Sequence, residues 1–195
     1  MSEAGDQALA FWQAPRPSEW IAHYRASADE PWRDALIDAV RPWAPFQSVL
    51  ELGCHCGPNV ARWREIFGRF RYVGLDCNGA ALAAGQRDAE RDGYGDISSW
   101  IFGSVQDLNG WPADPTFDIV LSSSCLSAMA PEDVIEALEQ MRRLSSRVIA
   151  IQEPRETEHR GAFHLWNHDY EGLLKDVPGW VWLAHHEGIL IGERV

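Results

Sequence analysis

Two short stretches of this chain place reactive groups at useful spacings. In Val49-Leu50-Glu51-Leu52-Gly53-Cys54-His55-Cys56-Gly57-Pro58-Asn59, an apolar run carrying one carboxylate ends in a glycine turn. Glycine there lets a ligand approach the backbone closely. In Tyr72-Val73-Gly74-Leu75-Asp76-Cys77-Asn78, a second apolar run ends in a carboxylate, one crossover unit downstream of Glu51. Such an acid accepts two hydrogen bonds from a ribose diol. Together the two turns predict a nucleoside lying across the carboxyl ends of two neighbouring strands.

Two cofactor chemistries compete for that place. A dinucleotide needs G-x-G-x-x-G so that its pyrophosphate rests on a helix N-terminus, whereas here His55 and Pro58 stand where glycines belong. Glu51 would repel a pyrophosphate but attract a ligand bearing ammonium and sulfonium charges. The turn therefore favours S-adenosylmethionine. An NAD(P)-dependent oxidoreductase and a non-catalytic S-adenosylmethionine-binding module are the competing readings. Cys54-His55-Cys56 lacks a second ligand pair at zinc spacing, so no metal is expected. Further along, the polar segment from Glu153 to Tyr170 offers His164 and His168 as candidate acid–base catalysts, with Glu153 or Tyr170 as orienting groups. Its alternative is structural, with Asn167 or Asp169 capping a helix that buries Leu173 and Leu174.

The elements that must position these groups alternate. Strands are expected over Ser48–Leu52, Tyr72–Leu75, Ser99–Phe102, Phe117–Ser122, Arg147–Gln152, Trp180–Ala184 and Ile189–Val195, with helical runs between most of them. One helix begins at Pro58 and ends at Gly68, one is capped by Asn78 and closed by Gly93, and one begins at Pro131. This is an α/β pattern with a mostly parallel sheet. Only His185 to Gly188 separate the last two strands, too few for a helical crossover, so those strands pair antiparallel. Residues 1 to 45 read as aromatic helices, with Ser18 as a cap and Trp32, Leu36, Val40 and Trp43 spaced for one buried face.

At these residues the chain resembles the class I, seven-stranded S-adenosylmethionine-dependent methyltransferases, from about residue 45 to 195. The matching stretches are Leu50-Glu51-Leu52-Gly53-Cys54 with Gly57 and Asn59, Gly74-Leu75-Asp76, Gly103-Ser104 before Asp107-Leu108, and Phe117-Asp118-Ile119-Val120. The resemblance implies a three-layer Rossmann-like sandwich with an antiparallel last strand. It implies that Gly53 and Gly57 line the methionine moiety, with Glu51, Cys54, His55 and Asn59 around them. Asp76 takes the ribose hydroxyls beside Cys77 and Asn78, Ser104 and the Val105 amide lie by the adenine, and Ser122 closes the set. His55 departs from the usual second glycine, and Ser104 from the frequent acid at the adenine. The Asn/Asp-Pro-Pro-aromatic run of amino-methylating nucleic-acid enzymes is replaced by Ser122-Ser123-Ser124-Cys125.

Composition narrows the partners. The formal charge of -12, from 29 acidic against 17 basic residues, opposes binding to nucleic acid or anionic lipid and suits a small-molecule acceptor. Residues 1 to 20 hold no apolar run preceded by basic residues and no stretch of 18 uncharged apolar residues occurs, so neither a leader nor a membrane span is expected, and four cysteines do not make a disulfide framework. The expectation is one cytoplasmic domain over 1–195, with residues 1–45 as a helical lid and 46–195 as the core. The aromatic N-terminus leaves a homodimer open.

Overall fold

The computed structural model describes residues 2–15, 17–111, 116–153, 164–184 and 188–195. Strands β1 (Ser48–Leu52), β2 (Arg71–Asp76), β3 (Ser98–Phe102), β4 (Phe117–Ser123), β5 (Ser145–Gln152), β6 (Trp180–Ala184) and β7 (Ile189–Arg194) form one sheet in the order β3-β2-β1-β4-β5-β7-β6. β1 to β5 are parallel neighbours, and β7 runs antiparallel to both β5 and β6. The predicted sandwich and its antiparallel last strand are therefore present; the turn at 185–187 lies outside the described residues. Successive strands step outward from β1 to β3, then restart on the other side at β4. That reversal opens a crevice above the carboxyl ends of β1 and β4, where open α/β sheets bind ligands.

Helices α1 (Glu3–Gln13), α2 (Ser18–Ala26), α3 (Pro31–Val40), α4 (Pro58–Phe67), α5 (Gly79–Arg91), α6 (Pro131–Leu144) and α7 (Tyr170–Leu174) complete the chain. Alternation along β1 sends Leu50 and Leu52 to a core with Met141 and Leu144 of α6, and Val49 to a second core with Leu36 of α3 and Trp63 of α4. Glu51 shares the second face, and this parity puts a carboxylate beneath α3 and α4.

The expected start signals at Pro58, Asn78 and Pro131 hold, and the Asn78 side chain accepts from the Ala81 amide at 3.1 Å. Ser18 is instead the first residue of α2, whose cap is Pro17 without a side-chain bond. Trp32 departs from its predicted buried face because it turns into the crevice. Asp169 caps α7 at Gly172 as anticipated, but only Leu174 is buried there while Leu173 faces outward.

Candidate active site

The crevice above β1, β2 and β4 is a cavity of about 630 Å³, within the range of small-molecule sites. Its floor is the turn after β1. Gly53 has φ of +70°, and a Cβ there would collide with the Cys125 side chain, so the close approach requires glycine. Gly57 adopts φ of +79° as the residue preceding α4, and a Cβ would strike Trp100. It shapes the turn, while the floor itself is formed by Gly53, Cys54, His55, Pro58 and Asn59.

Glu51 is 1% exposed yet reaches the cavity. Its carboxylate accepts from the Asn59 side-chain amide at 2.7 Å and from the Tyr72 hydroxyl at 2.6 Å. Gly74, in register with Glu51, makes this possible, because a Cβ there would lie 2.9 Å from the Tyr72 hydroxyl. Asn59 in turn accepts from Arg33 of α3. The guanidinium also donates at 2.8 Å to the carbonyl and at 2.8 Å to the hydroxyl of Ser27, tying the α2–α3 turn to β1. Burial raises the Glu51 carboxyl to about 7, against the opposing pull of Tyr72, Asn59 and Arg33. Burial likewise lowers Arg33 to about 10.

Asp76 closes β2. Its two oxygens accept from the His55 amide at 2.8 Å and the Asn78 amide at 2.7 Å, which aims the carboxylate across the cavity. An ionised carboxylate has about four acceptor sites, so capacity for ligand hydroxyls is left. Burial raises its pKa, and those amides oppose the rise. Cys77 and Asn78 line the wall beside it; Gly103, Ser104, Val105 and Gln106 line the far end. The Ser104 hydroxyl is engaged locally with Asp107 at 3.1 Å.

His55 holds φ of +48°, a left-handed conformation that is uncommon outside glycine. Its ring lies against Tyr24 of α2 with centroids 4.1 Å apart and planes tilted by 33°, and meets Trp20 edge-on at 4.8 Å. Burial lowers the imidazole to about 4, with Arg33 adding to the effect, so the ring is neutral at physiological pH. The N-terminal helices thus form the roof of the cavity, and Trp12 of α1 joins them through its carbonyl, which accepts from Asn78 at 3.2 Å.

Beyond β4 the sequence-based set divides. Ser122 is fully buried and donates to Glu153 at 3.2 Å, so Ser123 and Ser124 reach the cavity in its place. The Glu153 carboxylate also accepts from the amides of Cys125, Leu126 and Ser127 at 3.1, 2.9 and 3.1 Å. It anchors the loop after β4, and Glu153 is not among the residues that line the cavity. His164 stacks on Phe11 at 3.8 Å, and His168 Nε2 lies 3.0 Å from the Met129 carbonyl. Neither histidine lines the cavity among the described residues, whereas His23 does. Residues 154–163 of that polar segment lie outside the described residues. No group of three or more potential metal ligands occurs among the described residues.

Residues 49–147 match a family model described as a methyltransferase domain. A curated relative, trans-aconitate 2-methyltransferase of Deinococcus radiodurans, is 27% identical over 140 residues, which are 70% of this chain and 48% of the relative. The chain thus spans about half the length of that relative. Among solved structures, magnesium protoporphyrin IX methyltransferase from Synechocystis PCC 6803 with bound SAM superposes with a TM-score of 0.67 at 12% identity, over 99% of this chain and 92% of that one. A [4+2]-cyclase superposes with a TM-score of 0.63 at 16% identity, over 78% and 59%. These likenesses concern the fold, which hosts more than one chemistry.

Proposed function

Since this chain belongs to the methyltransferase-domain family, we propose that it binds S-adenosylmethionine in the crevice and transfers the methyl group to an oxygen or nitrogen of a small-molecule acceptor. The observation that carries the reading is the pair of carboxylates on adjacent strand ends, Glu51 and Asp76, flanking a glycine with no room for a side chain. These residues fit the cofactor. A buried carboxylate held near 7 gains most from a cationic ligand, and Asp76, pre-aimed by two amides, suits a diol. Pro58 at the start of α4 and Glu51 below it would oppose a pyrophosphate, which disfavours the oxidoreductase reading.

When bound, the cofactor supplies a sulfonium-activated methyl group. The chain's own part is to bind, to orient and to exclude water. Gly53 permits the close approach, and Ser104 with Val105 borders the adenine end. Trp12, Trp20 and Tyr24 line the cavity from the N-terminal helices, which supports residues 1–45 as the lid of one domain with the core. Ser123, Ser124, Ser27 and Trp32 border the remaining space, where we place the acceptor. The name of the trans-aconitate methyltransferase supports a small acceptor with an oxygen nucleophile. His164 or His168 is proposed to take the acceptor proton, which requires the ring to leave its place against Phe11 or the Met129 carbonyl.

No helix among the described residues is long and apolar enough to cross a membrane. Free thiols at all four cysteines suit the cytoplasm, and the charge of -12 argues against nucleic-acid partners. The test is incubation with S-adenosylmethionine and a mixture of small carboxylates, phenols and amines, followed by mass spectrometry. Formation of S-adenosylhomocysteine together with a product 14 mass units heavier supports the proposal. Binding without turnover on any acceptor would favour a non-catalytic module.

A further inference from the structure

His55 stands at a position where the related turns carry glycine, and its backbone keeps the conformation glycine would adopt. A side chain here is therefore unnecessary for the turn itself. Its ring leaves the floor and enters the roof, between Trp20 and Tyr24 of α2. The residue is 8% exposed, and among the described residues neither ring nitrogen has a hydrogen-bond partner. Helix α2 buries none of its own residues fully and has no side-chain cap. Arg25 pairs with Asp88 at 2.6 Å, Cys56 reaches the Ile21 carbonyl and Arg33 ties the Ser27 turn, while the His55 ring adds the contacts at Trp20 and Tyr24, the two rings of α2 that line the crevice. The same residue's amide donates to Asp76 at 2.8 Å, which joins the lid to the carboxylate that faces the ligand.

We propose that His55 is a positioning residue that docks helix α2 over the crevice and thereby sets how long the bound cofactor is held. This rests on the reading of the crevice as the S-adenosylmethionine site. Trp12, Trp20 and Tyr24 line the cavity, so the seating of α2 bears on how firmly a bound cofactor is enclosed. Two ring contacts oppose opening, and the unpartnered nitrogens favour it by gaining water once the ring is uncovered.

The arrangement also makes release sensitive to acid. In the closed state the ring is neutral, with a pKa near 4; uncovered, it returns towards its ordinary value near 6.5. A base whose pKa is lowered in the closed state destabilises closure as pH falls through its ordinary value. The groups facing it are Tyr24 of α2, with His23 at the edge of that ring, Arg33 of α3, and Asp76 through the amide. Glu51, close to Arg33, titrates near 7 and requires a control that leaves it in place.

The experiment is stopped-flow release of S-adenosylhomocysteine, read by tryptophan fluorescence, from the wild type, His55→Gly and His55→Phe. Glycine suits φ of +48°, so His55→Gly removes the ring without straining the turn. It should speed release about tenfold at neutral pH, the scale of two lost aromatic contacts. Lowering the pH from about 7.5 to 5.5 should speed wild-type release about tenfold more than it speeds release from His55→Phe, which keeps the ring but not the titration. Equal release rates in wild type and His55→Gly, or equal pH profiles in wild type and His55→Phe, would overturn the proposal. Hydrogen exchange of residues 18–26 in the ligand-free proteins separates the two readings. Faster exchange in His55→Gly alongside absent cofactor binding would sink the cofactor site and leave the docked lid standing. Unchanged exchange would sink the lid.

Discussion

The Tyr72 hydroxyl donates to Glu51 Oε2 at 2.6 Å inside the sheet, through space that Gly74 leaves open. This bond and that from Asn59 hold a carboxylate which burial nevertheless pushes up to about 7. For an acid whose folded value is raised, the contribution to stability is present below its ordinary pKa and is lost as pH rises through the folded value. The ligand-free protein should therefore lose stability between about pH 4.5 and 7 through Glu51. A cationic ligand reverses the sign, because it favours the ionised form. S-adenosylmethionine affinity, measured by calorimetry, should rise about tenfold from pH 6 to pH 8 and then level off. Glu51→Gln should remove that rise while leaving the protein folded.

Asp76 is held by backbone amides on both oxygens. Asp76→Ala should weaken cofactor binding by about 1–3 kcal/mol, the scale of hydrogen bonds to a charged acceptor. A thermal-shift series against S-adenosylhomocysteine reads this directly, and unchanged affinity would make Asp76 only a brace for the His55 turn.

Arg33 links α3 to Asn59 and to the Ser27 turn. Arg33→Met keeps the stem but leaves the buried Asn59 oxygen, and the part-buried Ser27 carbonyl and hydroxyl, without their donor. The expected cost is about 1–3 kcal/mol in urea unfolding, chiefly from Asn59. Residues 18–29 should also show faster hydrogen exchange, since their tether to β1 is lost.

Glu153 gathers three amides and a hydroxyl. Glu153→Gln presents an NH₂ to donors that need an acceptor, so destabilisation of about 2–4 kcal/mol is expected, with a loosened loop at Cys125 to Ser127. A variant as stable as the wild type would return Glu153 to the role of orienting an acceptor.

The parts of the site legible in the sequence are those that local spacing specifies. Glu51, Gly53 and Asp76 follow from an apolar run, a glycine turn and one crossover length, and all three line the crevice. The strand pattern likewise carries the mostly parallel sheet and its antiparallel last pair. Ser122 shows the limit of such reading. The strand end is legible, but the burial of Ser122 is not: its hydroxyl donates to Glu153 at the end of the neighbouring strand, a partner 31 residues away, while Ser123 and Ser124 line the crevice. The roles of Arg33 and Tyr72 arise from packing across distant sequence, which no local spacing specifies; the aromatic N-terminal helices are legible in the sequence, but the partners of their rings are not. The signal for Tyr72 was present as Gly74, a glycine inside a strand, which marks close approach. His55 was visible as a departure from the glycine pattern; only the position of α2 gives that departure a use.

The most direct test of the central claim is calorimetric titration of the purified chain with S-adenosylmethionine, S-adenosylhomocysteine, NAD and NADP under one buffer condition. Micromolar binding of both sulfur nucleosides with no heat from either dinucleotide is the predicted result. Binding of NAD or NADP with no response to S-adenosylmethionine would contradict it.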